Sequence, residues 1–326
     1  MEILVIGTGS IGTRHLKVLN SIPVVKPLAL PLRPERRAEL TQAGYCVCES
    51  ISGAVARGVR LAIIATDTRR HLADTQAALQ AGMDVLVEKP MATDAHQAQM
   101  ICLAARQAAR QVFVGCNFRF CESLKTFQAA MPSLGNIHSV RIECQSYLPD
   151  WRPERPYKQT YSAREGEGGV LHDLIHEIDF AGWLFGWPRA VLARLRNIGR
   201  LGIAADETAD LLWETSAGAV VSISLDYLSR PSRRQMCARG EHGTLEWDAL
   251  AGKVTLSLVG VPMQEIISTQ SRDDMYLAQS QAFIRSLQGS SDLGLATGED
   301  GVKALALCDT ARRASESHCE ESVAYP

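Results

Sequence analysis

The chain has 326 residues, of which 46% are hydrophobic and 21% are charged, and its formal net charge at pH 7 is -2. This length favours two domains over a single core, and the balanced charge argues against a nucleic-acid partner. The N-terminus has no signal-peptide pattern and no apolar run approaches the length of a membrane span, so we expect a cytoplasmic protein without a membrane partner. Nine scattered cysteines predict reduced thiols rather than a disulfide framework.

The first 19 residues predict a strand, a glycine-rich turn and a helix in direct succession. Apolar residues fill positions 3–6, and residues 13–19 have a helical pattern. In this context Gly7 permits a tight turn, Gly9 lets a pyrophosphate approach the backbone, and Gly12 lets the helix pack closely on the strand. The turn therefore predicts a dinucleotide site whose cofactor-binding residues are Gly7, Thr8, Gly9, Ser10, Ile11 and Gly12.

The end of the second predicted strand, residues 24–32, bears on which dinucleotide is bound. An acidic residue there would hold the ribose 2′-hydroxyl of NAD, whereas arginines accommodate the additional phosphate of NADP. Here no acid lies in the strand before the arginine-rich turn that contains Arg33 and Arg36, which favours NADP(H). The alternatives are that Glu35 binds the ribose of NAD(H), or that the arginines are solvated residues at the start of the next helix.

Two further strands continue the pattern of a doubly wound parallel sheet. The strand at 60–65 leads into Thr66 and a helix at 70–81, and the strand at 84–87 runs into Glu88-Lys89-Pro90. Lys89 then lies at the carboxyl end of a parallel strand, where ligands bind in open α/β sheets. Its ammonium group can donate to a substrate oxygen and stabilise negative charge there. A solvated loop lysine is the alternative.

The segment from Gly168 to Gly186 predicts a helix with a stripe of ionisable residues. Asp173, His176 and Asp179 follow one another at a helical spacing, so a carboxylate can orient the imidazole for proton transfer. A surface helix with solvated charges is the alternative. His172 and His176 also have the i, i+4 spacing of zinc ligands, but no third ligand is evident nearby and we predict no metal.

The segment preceding this helix, residues 147–164, combines prolines, aromatic residues and basic residues. Prolines suit an extended loop, aromatic faces suit sugar rings, and arginines suit carboxylates or phosphates. We expect a polyhydroxylated, anionic substrate here, such as a sugar acid or nucleotide sugar, bound by Trp151, Arg152, Tyr157 and Tyr161. An interface with a partner subunit is the alternative.

After residue 120 the pattern changes to short alternating segments, which predict a mostly antiparallel sheet. The seven expected strands lie near residues 139–144, 191–196, 209–213, 220–225, 235–238, 244–247 and 254–258. Helices at about 276–287 and 299–317 complete the chain.

These motifs, in this order and spacing, resemble the Gfo/Idh/MocA oxidoreductases, the family of glucose–fructose oxidoreductase and inositol dehydrogenase. The resemblance rests on the glycine motif, Glu88-Lys89-Pro90, residues 117–120, and the segment with Asp173 and His176. It implies an α/β fold with an N-terminal Rossmann domain (1–118) and a C-terminal substrate-binding and oligomerisation domain (119–326). That second domain would carry a large open sheet, used for a homodimer or homotetramer.

The resemblance also implies roles for single residues. Lys89, Asp173 and His176 match the catalytic positions of the family, and all three would also contact substrate, as would Arg119. Further residues at the cofactor are expected to be Thr66, Thr68, His71, Glu88, Lys89 and Asn117, with helix capping as the alternative for Thr66 and His71.

Together these features predict an NAD(P)-dependent dehydrogenase or reductase. It would transfer a hydride between nicotinamide and a carbinol or carbonyl carbon of a sugar-like substrate. The alternative is a non-catalytic dinucleotide or sugar sensor on the same fold, although sensors tend to lose the proton-transfer residues that are present here.

Overall fold

The structure is a computed structural model that describes residues 1–289 and 294–325. The chain forms two compact units. The first unit comprises residues 1–120 and 271–302, and the second comprises residues 121–270 and 303–326. These bounds differ from a single division at residue 118, because residues 271–302 pack with the N-terminal part of the chain.

The strands are numbered in chain order. They are β1 (Glu2–Ile6), β2 (Lys26–Leu30), β3 (Cys46–Val47), β4 (Leu61–Ile64), β5 (Asp84–Val87), β6 (Val112–Val114), β7 (Ile137–Gln145), β8 (Ala190–Arg196), β9 (Thr208–Glu214), β10 (Val220–Asp226), β11 (Arg233–Gly240), β12 (Gly243–Asp248), β13 (Lys253–Leu258), β14 (Gln264–Ile267), β15 (Ala296–Thr297) and β16 (Glu321–Ser322).

The helices are numbered in the same way. They are α1 (Ser10–Asn20), α2 (Glu35–Gln42), α3 (Ile51–Ala56), α4 (His71–Gln80), α5 (Ala95–Gln107), α6 (Glu122–Ala130), α7 (Val170–Asp173), α8 (Ile175–Phe185), α9 (Arg272–Ser286) and α10 (Gly298–Ser317).

The first unit contains the predicted Rossmann sheet. Its strand order is β15-β6-β5-β4-β1-β2-β3, and all neighbours are parallel except β15, which runs antiparallel to β6. β1 lies between β2 and β4, so the strand order reverses at its carboxyl end, the place where open α/β sheets bind ligands. The apolar strand residues predict this sheet because parallel strands are buried on both faces. Ile3 and Val5 accordingly belong to the core, with Leu16 of α1 and Phe283 of α9.

The second unit contains the predicted mostly antiparallel sheet. Its nine strands have the order β14-β13-β12-β11-β7-β10-β9-β8-β16, and only β7 and β10 pair in parallel. Along β9 and β10 buried residues alternate with more exposed ones, and α7 and α8 pack against these strands. The α/β fold class is thus confirmed for both sheets. The strand β14 was not expected, because all four of its residues are exposed and it has no alternating pattern.

Helix bounds depend on local capping signals. α5 begins at Ala95, because the Asp94 side chain accepts a hydrogen bond from the Gln97 N–H and so caps the helix. It ends at Gln107, close to Ala109, whose φ is +51°. In the portions 1–289 and 294–325, none of the helices combines the length and the apolar character needed to cross a bilayer.

Candidate active site

The glycine-rich turn of the first unit has the geometry of a phosphate-binding loop. Gly7 has a φ of +86°, and a Cβ there would lie 2.6 Å from the Ala65 carbonyl oxygen. A Cβ on Gly12 would lie 1.9 Å from the Gly7 oxygen, so neither position accepts a side chain. Gly9 differs, since a Cβ built on it meets nothing within 4 Å. The backbone at Gly9 and the N-terminus of α1 are therefore accessible to a ligand, and these residues fit a dinucleotide pyrophosphate.

Arg36 lies against this turn. Its Nη2 donates to the Thr8 carbonyl oxygen at 3.2 Å and to Thr13 Oγ1 at 3.3 Å, and the guanidinium also pairs with Glu39. Within the described residues its buried Nε has no partner. Arg33, in contrast, is exposed. Of the two arginines predicted to favour NADP(H), Arg36 is the one in contact with the glycine turn.

His71 connects the loops that follow β4 and β5. Its Nε2 lies 3.0 Å from the Thr66 carbonyl oxygen and its Nδ1 lies 2.9 Å from the Pro90 carbonyl oxygen. A neutral imidazole can donate to only one of them. Burial lowers the pKa of His71, although these two carbonyl groups oppose that effect. Thr68 is also buried, in the short helical turn that precedes α4.

Lys89 is the second residue after β5, at the carboxyl end of the strand as predicted, and is half-buried. Its neighbour Glu88 is only 7% exposed, and its Oε1 lies 2.7 Å from Nε2 of the fully buried His15. The other carboxylate oxygen, Oε2, accepts the backbone N–H of Lys89 at 3.3 Å. His15 belongs to α1, so this hydrogen bond joins the Lys89 segment to the helix that begins at the glycine turn.

Asn117 and Arg119 lie in the short helical turn after β6 and are both buried. Arg119 donates from Nη1 to Asp300 Oδ2 at 3.1 Å. The same oxygen accepts the backbone N–H and the hydroxyl of Thr297. Arg119 thus holds the start of α10, a structural contact that sequence reasoning did not predict for this expected substrate residue.

In the second unit, two glycines place the helical segment that carries Asp173 and His176. A Cβ on Gly168 would lie 2.1 Å from the Tyr161 carbonyl oxygen, and one on Gly169 would lie 2.4 Å from Asp206 Oδ1. The sequence predicts one helix here, but the structure has two, because α7 ends at Asp173 and α8 begins at Ile175.

The ionisable stripe on this segment is buried. His172, Asp173, His176 and Asp179 are between 2% and 8% exposed. Solvated charges on a surface helix, the alternative drawn from the sequence, are therefore excluded. Glu177 is also fully buried, and it is neutralised by Arg234, whose Nε donates to Oε1 at 2.7 Å. Ionisable groups are rarely buried unless they are paired, so the partners of these side chains define the local chemistry.

Two tyrosines hold the carboxylate of Asp173. The hydroxyl of Tyr227, just beyond β10, donates to Asp173 Oδ2 at 2.5 Å. Tyr161, from the loop before α7, lies beside the same carboxylate. Burial raises the pKa of both phenols and the negative charge of Asp173 adds to the rise, so both remain protonated donors. Tyr227 was not predicted from the sequence, which offers no signal for it beyond its place at the end of a strand.

The predicted substrate residues of the loop fall into two groups. Trp151 presents its ring edge to Tyr227, with the ring centroids 5.4 Å apart, and is 38% exposed. Arg152 lies near enough to Tyr161 for its positive charge to oppose the rise in the pKa of that phenol. Tyr157 instead donates its hydroxyl to the Leu201 carbonyl oxygen at 3.0 Å. Trp151, Arg152 and Tyr161 thus surround the Asp173 centre, and Tyr157 anchors the loop.

His172 lies on the same segment, within reach of the charge of Arg312. Burial, and next the positive charge of Arg312, lower the pKa of His172 to about 4, so it is neutral at pH 7. Across residues 1–289 and 294–325, no group of three or more His, Cys, Asp or Glu side chains is placed to hold a metal ion.

A doubly wound parallel sheet with an open glycine turn, joined to a unit with a large mixed sheet, defines a dinucleotide-binding oxidoreductase. Residues 1–116 match the oxidoreductase family with an NAD-binding Rossmann fold, GFO_IDH_MocA, and residues 131–246 match the GFO/IDH/MocA C-terminal domain. Together the two matches cover more than half of the chain, which therefore belongs to the GFO/IDH/MocA family. The family resemblance drawn from the motifs is confirmed.

Individual relatives agree with this assignment. A myo-inositol dehydrogenase of Streptomyces leeuwenhoekii is 29% identical over 57% of this chain and 56% of its own length. The inositol 2-dehydrogenase of Rhizobium meliloti (strain 1021) is 24% identical over 98% of both chains. Levoglucosan dehydrogenase in complex with NADH covers 100% of both chains with a TM-score of 0.88 and 16% identity, a likeness of fold.

Proposed function

We propose that the protein is an NAD(P)-dependent dehydrogenase or reductase that acts on a CH–OH carbon, or the corresponding carbonyl, of a sugar-like anionic substrate. The observation that carries the proposal is the buried carboxylate of Asp173, held by two phenols, one turn before His176. Such a centre has no evident value for stability, because burying a charge opposes folding unless it is fully compensated. It is of use where a substrate hydroxyl must be oriented for proton transfer.

The proposed roles follow from the chemistry of each side chain. The bound nicotinamide supplies or accepts the hydride. His176 moves the proton at the reacting substrate oxygen, Lys89 donates a hydrogen bond to a substrate oxygen, and Asp173 orients a neighbouring hydroxyl or the imidazole. Asn117 and Arg119 are proposed to line the dinucleotide and substrate side of the first unit, and Thr66, Thr68, His71 and Glu88 to support it.

The substrate class follows from the loop at residues 147–164. Trp151 offers an aromatic edge and a partly exposed face, which suits the apolar face of a sugar ring. Arg152 supplies a positive charge beside Tyr161, which suits a carboxylate or phosphate on the substrate. Inositol and levoglucosan, which appear in the names of the related enzymes, are polyhydroxylated rings, and their hydroxyls match this donor and acceptor set.

The proposed cofactor is NADP(H). Arg36 supports it, because its guanidinium lies at the glycine turn through Thr8 and has an Nε without a partner in the described part of the chain. Planar arginine side chains bind phosphate groups well. NAD(H) is the competing cofactor, and the levoglucosan dehydrogenase structure holds NADH.

We also propose that the second unit mediates a homodimer or homotetramer through its sheet. Leu192, Leu212 and Val220 lie on three neighbouring strands and are each more than 40% exposed. Leu192 and Leu212 are direct cross-strand partners. An apolar patch of this kind is typical of an association surface. Analytical ultracentrifugation of the wild type and of Leu212→Asp tests it, and a wild-type monomer would contradict it.

A dinucleotide titration tests the proposed function. NADH and NADPH are added to the purified protein while nicotinamide fluorescence is followed, with and without a panel of polyols, sugar acids and nucleotide sugars. We expect tight binding of NADPH, and an absorbance change at 340 nm when one anionic sugar is added with the matching oxidised or reduced cofactor. Binding of dinucleotide and sugar without turnover would favour a sensor, and no dinucleotide binding would overturn the proposal.

A further inference from the structure

His15 and Glu88 form a buried pair that the proposed chemistry does not use. His15 is fully buried in α1, Glu88 is 7% exposed after β5, and Nε2 and Oε1 are 2.7 Å apart. Nδ1 of His15 has no hydrogen-bond partner within residues 1–289 and 294–325. Nε2 therefore carries a proton and donates it to the Glu88 carboxylate, an assignment made from the hydrogen-bond geometry.

The surrounding residues make room for this carboxylate. A Cβ on Gly115, just beyond β6, would lie 3.0 Å from Glu88 Cδ and 3.1 Å from Glu88 Cα, so a side chain at this position would require Glu88 to shift. On the other side, Tyr276 of α9 packs its ring edge-on to His15, with the centroids 5.2 Å apart. Burial raises the pKa of Tyr276 to about 12, and the negative charge of Glu88 contributes to the rise. Helix α1, helix α9 and the chain just beyond β6 thus meet around the carboxylate of Glu88.

Stability does not explain this arrangement. Moving a carboxylate out of water costs several kcal/mol even after relaxation, and an apolar pair of similar volume is often at least as stable. What distinguishes Glu88 is its second oxygen, Oε2, which accepts the backbone N–H of Lys89. One carboxylate therefore holds the helix that starts at the glycine turn and the segment that presents the proposed catalytic lysine.

We propose that His15 is a positioning residue that acts through Glu88 to hold the Lys89 segment in register with the dinucleotide-binding helix α1. The hydrogen bond from His15 fixes the rotamer of Glu88, and Glu88 in turn fixes the backbone at Lys89. Lys89 then keeps the same place relative to the glycine turn through each catalytic cycle. Only the catalytic consequence rests on the proposed function, since the link itself is measured without substrate or cofactor.

The test compares four variants by hydrogen exchange of residues 88–91 in the dinucleotide-free protein. His15→Leu removes the link and Glu88→Gln weakens it, because a carboxamide offers one acceptor oxygen to the two N–H donors, whereas His15→Gln keeps an N–H donor at the position of Nε2. Asp84→Asn is the matched control, because Asp84 lies at the other end of β5, is also 7% exposed, and accepts the Gln111 N–H at 2.8 Å. We expect exchange at 88–91 to rise roughly tenfold in His15→Leu and Glu88→Gln only.

Turnover gives a second readout. His15→Leu and Glu88→Gln should lower kcat by about tenfold to a hundredfold while the dinucleotide Kd stays within about threefold, because misplacing a catalytic group affects the reaction more than binding. His15→Gln should restore most of kcat.

Unchanged exchange at 88–91 in Glu88→Gln would overturn the inference, and so would an equal rise in Asp84→Asn. If His15→Leu does not fold, the comparison of Glu88→Gln with Asp84→Asn still decides. If the wild type binds no dinucleotide, the proposed function fails, but the exchange result stands.

Discussion

Each unit buries a carboxylate next to a residue of the proposed mechanism, and the two carboxylates are held differently. Glu88, beside Lys89, is held by an imidazole from α1 and by a backbone N–H. Asp173, one turn from His176, is held by two phenols, one at the end of β10 and one from an irregular loop.

The difference in how Glu88 and Asp173 are held indicates which property substitutions near each of them should affect. His15, the side-chain partner of Glu88, lies on the regular helix α1 of the Rossmann unit. The partners of Asp173 include Tyr161, whose loop contains only short helical turns. We therefore expect substitutions near Asp173 to alter substrate turnover and leave dinucleotide binding intact, and substitution of Arg36 at the glycine turn to alter dinucleotide binding.

The largest expected effect comes from His176→Ala. Loss of a general acid–base group lowers kcat by about 10²–10⁴-fold, while dinucleotide Kd should stay within about threefold because His176 belongs to the second unit. Steady-state kinetics and fluorescence titration measure the two quantities. His172→Gln is the control and should retain activity; equal losses in both variants would mean that the segment, rather than His176, is what turnover requires.

A second prediction concerns stability against pH in the second unit. The pKa of His172 is about 4 in the folded chain and about 6.5 when unfolded, so the unfolded state binds the proton first. The contribution of neutral His172 to the free energy of unfolding is therefore fully present above pH 6.5. It is lost as the pH falls towards 4, and the loss is about 3 kcal/mol at most.

Urea unfolding between pH 7 and 4 measures this loss. All five tryptophans lie in the second unit, so their fluorescence reports on it. His172→Gln should flatten the pH dependence, whereas replacing the exposed His138 by glutamine should leave it as in the wild type. An unchanged slope in His172→Gln would contradict the prediction.

A smaller effect is expected from Tyr227→Phe. The variant keeps the ring against Trp151 but removes the donor to Asp173, and hydrogen bonds to a charged group contribute about 1.5–3 kcal/mol. We expect the free energy of unfolding to fall by about 2 kcal/mol, together with kcat/KM for the substrate.

The matched control is Tyr325→Phe. Its hydroxyl donates to the neutral Pro188 carbonyl oxygen at 2.8 Å in the same unit, so its removal should cost about 1 kcal/mol and leave kinetics unchanged. Equal destabilisation by both variants would show that Asp173 is not ionised in its pair with Tyr227.

The fold could be predicted wherever buried residues follow a regular pattern along the chain. Apolar runs marked the parallel strands β1, β4 and β5, and alternation marked the seven strands from β7 to β13. Where burial has no period the sequence was silent, as in the exposed β14. The buried stripe with His176 was predicted in position but not in environment, because helical spacing does not reveal what packs on both sides of a helix.

The candidate site was predictable as motifs and not as contacts. Glycine spacing and the sequence around Lys89 identify local geometry, which neighbouring residues determine. His15 and Glu88 are 73 positions apart, and Asp173 and Tyr227 are 54 apart. Tertiary packing determines such partners, so motifs do not reveal them. A polar residue at the end of a strand, such as Tyr227, is the sequence feature that could have suggested this contact.

Arg36→Ala gives the smallest expected effect and tests the dinucleotide side alone. If the guanidinium at the glycine turn binds the 2′-phosphate, the Kd for NADPH should rise about tenfold, roughly 1.4 kcal/mol, with little change for NADH. Arg37→Ala is the control from the same helix, since Arg37 pairs with Glu49 and is partly exposed. Arg33→Ala should weaken NADPH less than Arg36→Ala does, because Arg33 is exposed and only Arg36 contacts Thr8. Fluorescence titration with both dinucleotides measures these changes. Equal weakening of NADPH and NADH by Arg36→Ala would mean that the arginine supports the turn itself, and the preference for NADP(H) would be wrong.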